Sequence, residues 1–212
     1  MTTNQDSESK LKTFAQRLSY TFIEKSEYPY EEYDLWPRIY VHLTEKKDLD
    51  EILEDEDSDN FPGGSNDKGI DYFTGSESSY QIFQFKMRES DDNGNIIYDT
   101  NFDASGINDL KKAFDYIIKE SVEHDERANR NVNILRDNIR NTIDDYKGSS
   151  NSLTIEFNLV ILGNGLTPDG KEAEKKFKEE LLDKSNNNQN FTYKLHTFED
   201  LCDAVEESYT GD

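Results

Sequence analysis

Three polar side chains in the middle of the chain, Asp71, Gln84 and Lys86, could hold a metal ion beside a phosphate. Two runs of strand-forming residues, 69–73 and 80–86, carry them and are joined by a polar turn. Successive side chains of a strand point to opposite faces, so Gln84 and Lys86 share one face of the predicted hairpin. Carboxylate and amide oxygens suit Mg²⁺, and an ammonium group can orient water or balance the charge of a phosphate. The pattern therefore predicts metal-dependent chemistry on a phosphodiester.

The same residues carry a family resemblance. Asp71 followed by Gln84-Phe85-Lys86 resembles the D…QxK form of the PD-(D/E)xK nuclease core, as in Mrr-type restriction endonucleases. The sequence GGSNDKGID at residues 63–71 resembles the glycine-rich segment before the first strand of that core. Downstream blocks resemble AIPR (abortive infection phage resistance) proteins: FDAS at 102–105, LVILGNG at 159–165 and HTFEDL at 196–201. The similarity covers about residues 10–205.

The resemblance implies an α/β fold with a restriction-endonuclease-like mixed central sheet flanked by helices. A mobile tail is expected at residues 1–9, the nuclease-like core at 10–150, and a β-α-β-α extension of the same sheet at 151–212. AIPR-like chains continue well beyond such a core, so we expect this chain to be a fragment of a longer protein. Strands that alternate with helices along the chain independently favour an α/β class with a partly parallel sheet.

The implied activity is hydrolysis of nucleic acid, with DNA expected, by a Mg²⁺-dependent endonuclease of phage defence in which Mn²⁺ could substitute. Asp71 and Gln84 would be the metal ligands, and Lys86 would complete the catalytic set. Many nucleases of this class have a glutamate at the Gln84 position, and a further acid often comes from the first helix. Glu24 is the candidate for that acid. The implied partners are nucleic acid and the remainder of the longer chain or a partner subunit, and a homodimer is open as an assembly.

Other acids near the hairpin have two interpretations each. Asp67 could bind the metal or only shape the glycine turn. The acidic stretch at 44–60 is typical of a solvated loop with one short helix around residues 49–53, but Asp57 or Asp59 could also approach the metal.

The net charge of −22, from 46 acids and 24 bases, opposes DNA binding, which normally depends on Lys and Arg at phosphates. A missing domain could supply the contact, or a local basic groove could exist. A predicted helix at 125–146 carries arginines that could form such a stripe: Arg127, Arg130, Arg136 and Arg140. The alternative is that these arginines pair with nearby acids.

Two functions of other classes stay open on the sequence. The domain could keep the nuclease fold as a catalytically silent binding or scaffold module, or it could be an acidic DNA mimic that occupies another protein's DNA groove. Metal binding would separate the nuclease from both.

The cysteine, histidine and apolar content excludes some kinds of metal site, disulfide and membrane segment. The one cysteine, Cys202, excludes an internal disulfide and a cysteine-based zinc site, and the three histidines have no zinc-like spacing. No run approaches the ~20 apolar residues of a membrane span, and a cytoplasmic location is expected.

Periodicity predicts the other elements. Leu11 to near Ser26 is predicted as a helix, and residues 35–43 as a strand or irregular segment because of Pro37. Ser105 is the predicted N-cap of the next helix. The further predicted helices cover 107–118, 125–146, 168–182 and 198–207, and the further strands 153–162 and 191–195.

Overall fold

A computed structural model of the chain describes residues 3–54, 60–62 and 66–210. Within them lie seven α-helices: α1 Thr3–Glu24, α2 Glu32–Glu45, α3 Leu49–Glu54, α4 Ser105–Ile118, α5 Arg130–Tyr146, α6 Pro168–Lys184 and α7 Phe198–Thr210. A 3₁₀ turn, Lys25–Glu27, follows α1. No helix of these described ranges is both long and apolar enough to cross a membrane.

The strands form one main sheet and one short ladder. They are β1 Tyr72–Ser76, β2 Ser79–Lys86, β3 Asn101–Phe102, β4 Leu153–Ile161, β5 Gly165–Leu166 and β6 Gln189–His196. The main sheet has the order β1-β2-β4-β6, in which β1 and β2 are antiparallel and the other pairs are parallel. Strands β3 and β5 pair with each other in parallel. The predicted α/β class with a mixed, helix-flanked sheet is therefore confirmed.

The sheet separates two apolar clusters. On one face, Phe157 of β4 packs with α4, α5 and α6 around Phe114 and Phe177. On the other face, Phe83 and Phe85 of β2 pack with α1, α2, α3 and α7. Gln84 and Lys86 alternate with those two rings, so they lie on the α4 face at the carboxyl end of β2. In open α/β sheets this end of the strands is where ligands bind.

Residues 35–43, predicted as a strand or irregular segment, belong instead to helix α2. Every residue from Leu35 to Val41 is buried, so the segment shows no polar stripe from which a helical period could be recognised. Pro37 lies inside the helix and leaves the carbonyl group of Tyr33 without its usual amide donor. The prediction was wrong because burial on all sides hides periodicity.

Several element boundaries also differ from the predicted ones. Helix α1 begins at Thr3, so residues 3–9, predicted as a tail, are helical. Strand β1 covers Tyr72–Ser76, so residues 69–71, predicted as its start, precede it, and the turn after it is tighter than the predicted one. Ser105 is the first residue of α4, and its N-cap is Ala104, which makes no side-chain capping hydrogen bond. Asp103 Oδ1 accepts the Ser105 amide hydrogen at 2.9 Å. The short helix predicted near 49–53, helices α4 to α7 and strands β4 and β6 are confirmed as elements, with shifted ends.

Candidate functional site

A cleft of ≈ 800 Å³ opens at the carboxyl end of β2. Its walls come from β2, the first turns of α2, residues 61–62 and 66–69, and α4. Asp71, Gln84 and Lys86 all line it, so the structure brings together the three residues that the sequence predicted to converge.

Asp71 lies at the bottom of the cleft, just before β1. Its backbone amide donates to Phe83 O at 2.9 Å, which fixes its position at the start of the hairpin. Its Oδ2 accepts two hydrogen bonds, both at 2.7 Å, from Gln84 Nε2 and from the Phe85 amide. Burial raises the pKa of Asp71 to about 7, although the Phe85 hydrogen bond opposes the shift. The negative charge of Asp67 adds to the increase. A bound cation would favour the charged form of this carboxylate.

The two polar atoms of the Gln84 side chain differ in their hydrogen bonding: Nε2 has partners and Oε1 has none. Nε2 donates to Asp71 Oδ2 and to Phe85 O, the latter at 3.2 Å. The Oε1 atom is buried and has no hydrogen-bond partner. Buried polar atoms in folded proteins normally have a partner, which here could be a water molecule or an ion.

Lys86 is fixed by a carboxylate that the sequence did not single out. Its Nζ lies 2.8 Å from Asp109 Oδ2, and the second oxygen of Asp109 lies 2.7 Å from Lys112 Nζ. Burial alone would raise the pKa of Asp109, but hydrogen bonds from Lys112 and Lys86 together hold it below the usual value. Asp109 therefore stays ionised and positions the Lys86 ammonium. An i, i+3 acid–lysine pair is common on helix surfaces, so Asp109 carried no distinctive sequence signal.

Asp67 lies in the glycine turn and also lines the cleft. Its Oδ1 accepts the Gly69 amide hydrogen at 2.8 Å, so the predicted turn-shaping role is observed. Burial raises the pKa of Asp67, against the effect of that hydrogen bond. The neighbouring charge of Asp109 raises it further. The metal-ligand interpretation of Asp67 stays a prediction.

Gly69 permits the turn to touch helix α4. Its φ of +83° lies in the left-handed region, and a Cβ at this position would be 2.3 Å from Asp109 O. The glycine thus lets the chain that carries Asp67 and Asp71 pack directly on the turn of α4 that carries Asp109.

The acid that the sequence suggested on the first helix does not line the cleft. Glu24 is exposed at the end of α1, near Lys25, and is not among the residues that line the cleft. Asp34 of α2 does line it, and burial raises the pKa of Asp34 against the opposing charge of Arg38. Sequence reasoning missed Asp34 because α2 was not predicted as a helix. Asp57 and Asp59 lie outside the described residues.

The cleft is locally balanced although the chain carries a net charge of −22. Among the described residues, four cations line it, Arg38, Lys68, Lys86 and Lys112, together with four acids, Asp34, Asp67, Asp71 and Asp109. An anionic ligand would therefore meet equal numbers of basic and acidic side chains among these lining residues, although the protein as a whole is acidic.

The predicted basic stripe of α5 does not form as a surface. Arg136 is only 4% exposed, and its guanidinium donates to the carbonyl groups of Tyr116 and Val122. Arg140 donates to the Tyr116, Ile117 and Lys119 carbonyls at the end of α4. These two side chains therefore fix the C-terminus of α4, because a helix end leaves carbonyls that need donors. Arg127 pairs with Asp125, and Arg130 is exposed.

Several oxygen atoms at the bottom of the cleft are of the chemical type that Mg²⁺ prefers. A carboxylate, an amide oxygen without a partner and the nearby Phe85 carbonyl are hard ligands of the kind that Mg²⁺ prefers. Within the described ranges, no three His, Cys, Asp or Glu side chains cluster closely enough to bind a metal by themselves. A cation here would depend on Gln84 and water in addition to Asp71.

The fold and the cleft define a class: a mixed α/β protein with an amide and a lysine at the carboxyl end of β2 and a carboxylate just before the antiparallel strand β1. No family model, no curated protein and no solved structure matches the chain. The basis for a function is therefore the chemistry of the cleft and the sequence motifs that form it.

Proposed function

We propose that the chain is a nuclease domain that hydrolyses phosphodiester bonds of nucleic acid with a divalent cation, Mg²⁺ or Mn²⁺. The observation that carries the proposal is the convergence of Asp71, Gln84 and Lys86 in one cleft, with the Gln84 amide hydrogen-bonded to Asp71. The resemblance to AIPR proteins extends the proposal to phage defence, to DNA as the expected substrate and to a cytoplasmic location.

Each residue has a distinct role in this proposal. Asp71 and Gln84 Oε1 would hold the cation, with Asp67 and Asp34 as further acids in the same cleft. When bound, the cation would acidify a water molecule and neutralise charge on the phosphate. Lys86 would orient the attacking water and stabilise the charge that develops on the phosphate oxygens. Asp109 would hold the Lys86 ammonium in place and is therefore a positioning residue.

A cleavage assay tests the proposal. Plasmid and linear DNA would be incubated with the protein and Mg²⁺ or Mn²⁺, with and without EDTA, using this chain and a longer form. We expect cleavage to require the cation and to be lost in Lys86→Ala but not in Lys176→Ala, a matched change of an exposed lysine on α6. Because the net charge opposes DNA approach, the longer form should be the more active. Cleavage that survives both EDTA and Lys86→Ala would place the chemistry elsewhere.

A catalytically silent binding or scaffold module is the second candidate. Two observations favour it: the Lys86 ammonium is already paired with Asp109, and the described residues contain no three-acid metal cluster. In that case the folded protein would bind no Mg²⁺ or Mn²⁺ at Asp71. The acidic DNA mimic would behave in the same way toward metals but would compete with DNA for a DNA-binding protein.

A further inference from the structure

The rim of the cleft carries an exposed aromatic ring. Tyr33, on the first turn of α2, is 66% exposed and lines the cleft together with Lys86 and Met87. No ring packs against Tyr33 among the described residues. Isolated exposed aromatics are ordinary, as Tyr20 on α1 shows at 67% exposure. Tyr33 differs because its ring borders the proposed site and is free to stack on a flat ligand.

Behind the rim, the wall of the cleft holds a fixed positive charge. The Arg38 guanidinium carbon lies 4.2 Å from the ring centroid of Tyr30 and 4.7 Å from that of Phe61. The Arg38 Nη1 also donates to Asp34 O at 2.9 Å. The charge is therefore held at a defined place in the wall, where it can attract a phosphate group.

The charge distribution favours one strand over two. Duplex DNA carries one charge per ~1.7 Å of axis, twice the density of a single strand. A protein of net charge −22, with equal numbers of basic and acidic side chains among the described residues of the cleft, repels the more densely charged duplex more strongly than a single strand. A single strand can also bend into a cleft of ≈ 800 Å³ that a stiff duplex must span.

We propose that the cleft takes single-stranded nucleic acid, with one base stacked on the Tyr33 ring and the adjoining phosphate directed toward Lys86. Aromatic platforms beside cations are how proteins bind single strands without reading their sequence. This inference rests on the proposed function, since it places the phosphate at the proposed site, and it adds the substrate class.

Fluorescence anisotropy would measure this preference, with Ca²⁺ in place of Mg²⁺ to limit cleavage. The probes are ~12-nucleotide DNA and RNA single strands of one sequence and the corresponding DNA duplex. We expect a single strand to bind at least about fivefold more tightly than the duplex, and Tyr33→Ala to weaken that binding about tenfold. Tyr33→Phe should retain it because the ring remains. Tyr20→Ala is the matched control and should have no effect.

Three results would overturn the inference: duplex binding as tight as single-strand binding, equal effects of Tyr33→Ala and Tyr20→Ala, or no binding of any strand. Comparing the DNA and RNA single strands shows whether the cleft prefers deoxyribose or ribose. The experiments distinguish failure of this inference from failure of the proposed function. If the protein cuts duplex DNA and Tyr33→Ala has no effect, the nuclease proposal stands and the stacking site at Tyr33 is overturned. If the protein binds single strands through Tyr33 but does not cleave them, the stacking site stands and the nuclease proposal is overturned.

Discussion

Gln84 Nε2 donates to Asp71 Oδ2 at 2.7 Å, while Gln84 Oε1 remains buried without a partner. The Gln84 side chain thus fixes the Asp71 carboxylate through Nε2, and its Oε1 is not used by another hydrogen bond. This relationship links β2 to the residue just before β1 and is the basis of the proposed cation site.

The pKa of Asp71 should make stability depend on pH. Its folded value of about 7 exceeds the usual 3.8, so the folded state binds the proton more tightly. Stability should therefore fall as pH rises from about 4 to about 7 and then level off. Asp71→Asn removes this loss and should be more stable than wild type at pH 8 by up to ~4 kcal/mol, with the difference vanishing near pH 4. Urea unfolding across this range measures it.

Asp103→Asn is a control, because Asp103 should have the opposite effect on the pH dependence of stability. A hydrogen bond from Ser105 lowers the pKa of Asp103, so its charge stabilises the folded protein above the usual pKa of an aspartate. This variant should lose stability at neutral pH relative to acid pH. If both variants changed in parallel with pH, the buried character of Asp71 would be contradicted.

Asp109 should act on catalysis through Lys86. In Asp109→Asn the Lys86 ammonium loses its 2.8 Å ion pair and can turn toward Asp71 or Asp67. We expect kcat for nucleic-acid cleavage to fall by about 10- to 100-fold with little change in KM, because misplacement affects the reacting geometry more than ground-state binding. Asp109→Glu should restore part of the activity.

Asp115→Asn controls for the loss of an ion pair on the same helix, since Asp115 pairs with Lys119 outside the cleft. Steady-state kinetics of the three variants make the comparison. Equal activity of Asp109→Asn and Asp115→Asn would show that Lys86 needs no positioning by Asp109.

Gly69 should tolerate no side chain. Gly69→Ala combines a left-handed backbone with a Cβ 2.3 Å from Asp109 O, and should cost at least ~3 kcal/mol of unfolding free energy. Gly148→Ala has a similar φ of +76° but meets no atom within 4 Å, and should cost only ~1 kcal/mol. Thermal and urea unfolding compare the two. Similar losses would mean that the turn does not pack on α4 as described.

Arg136 should contribute to the stability of the fold and not to nucleic-acid binding. Removing its buried guanidinium leaves the Tyr116 and Val122 carbonyls without these donors, so Arg136→Ala should cost ~2–4 kcal/mol. Arg130→Ala, at an exposed position of the same helix, should change stability by less than ~0.5 kcal/mol. A loss of nucleic-acid affinity in a stably folded Arg136→Ala protein would instead restore the basic-stripe interpretation.

Local patterns predicted most of the fold and the centre of the site. The hairpin spacing placed Gln84 and Lys86 on one face because strand alternation is a local property of the backbone. The sequence could not indicate Asp34 or Asp109, since both reach the cleft only through the packing of α2 and α4 on the sheet. It also could not indicate that Arg136 points inward, because its partners are carbonyls 20 and 14 residues away in the chain.

Metal titration tests the central claim most directly. Calorimetry with Mg²⁺ and Mn²⁺ at pH 8, above the pKa of Asp71, would compare wild type with Asp71→Asn and with Asp103→Asn as a control. We expect wild type and Asp103→Asn to bind one cation and Asp71→Asn to bind it more than ~10-fold more weakly. No binding by wild type, or equal binding by wild type and Asp71→Asn, would contradict a cation site at Asp71 and with it the proposed nuclease.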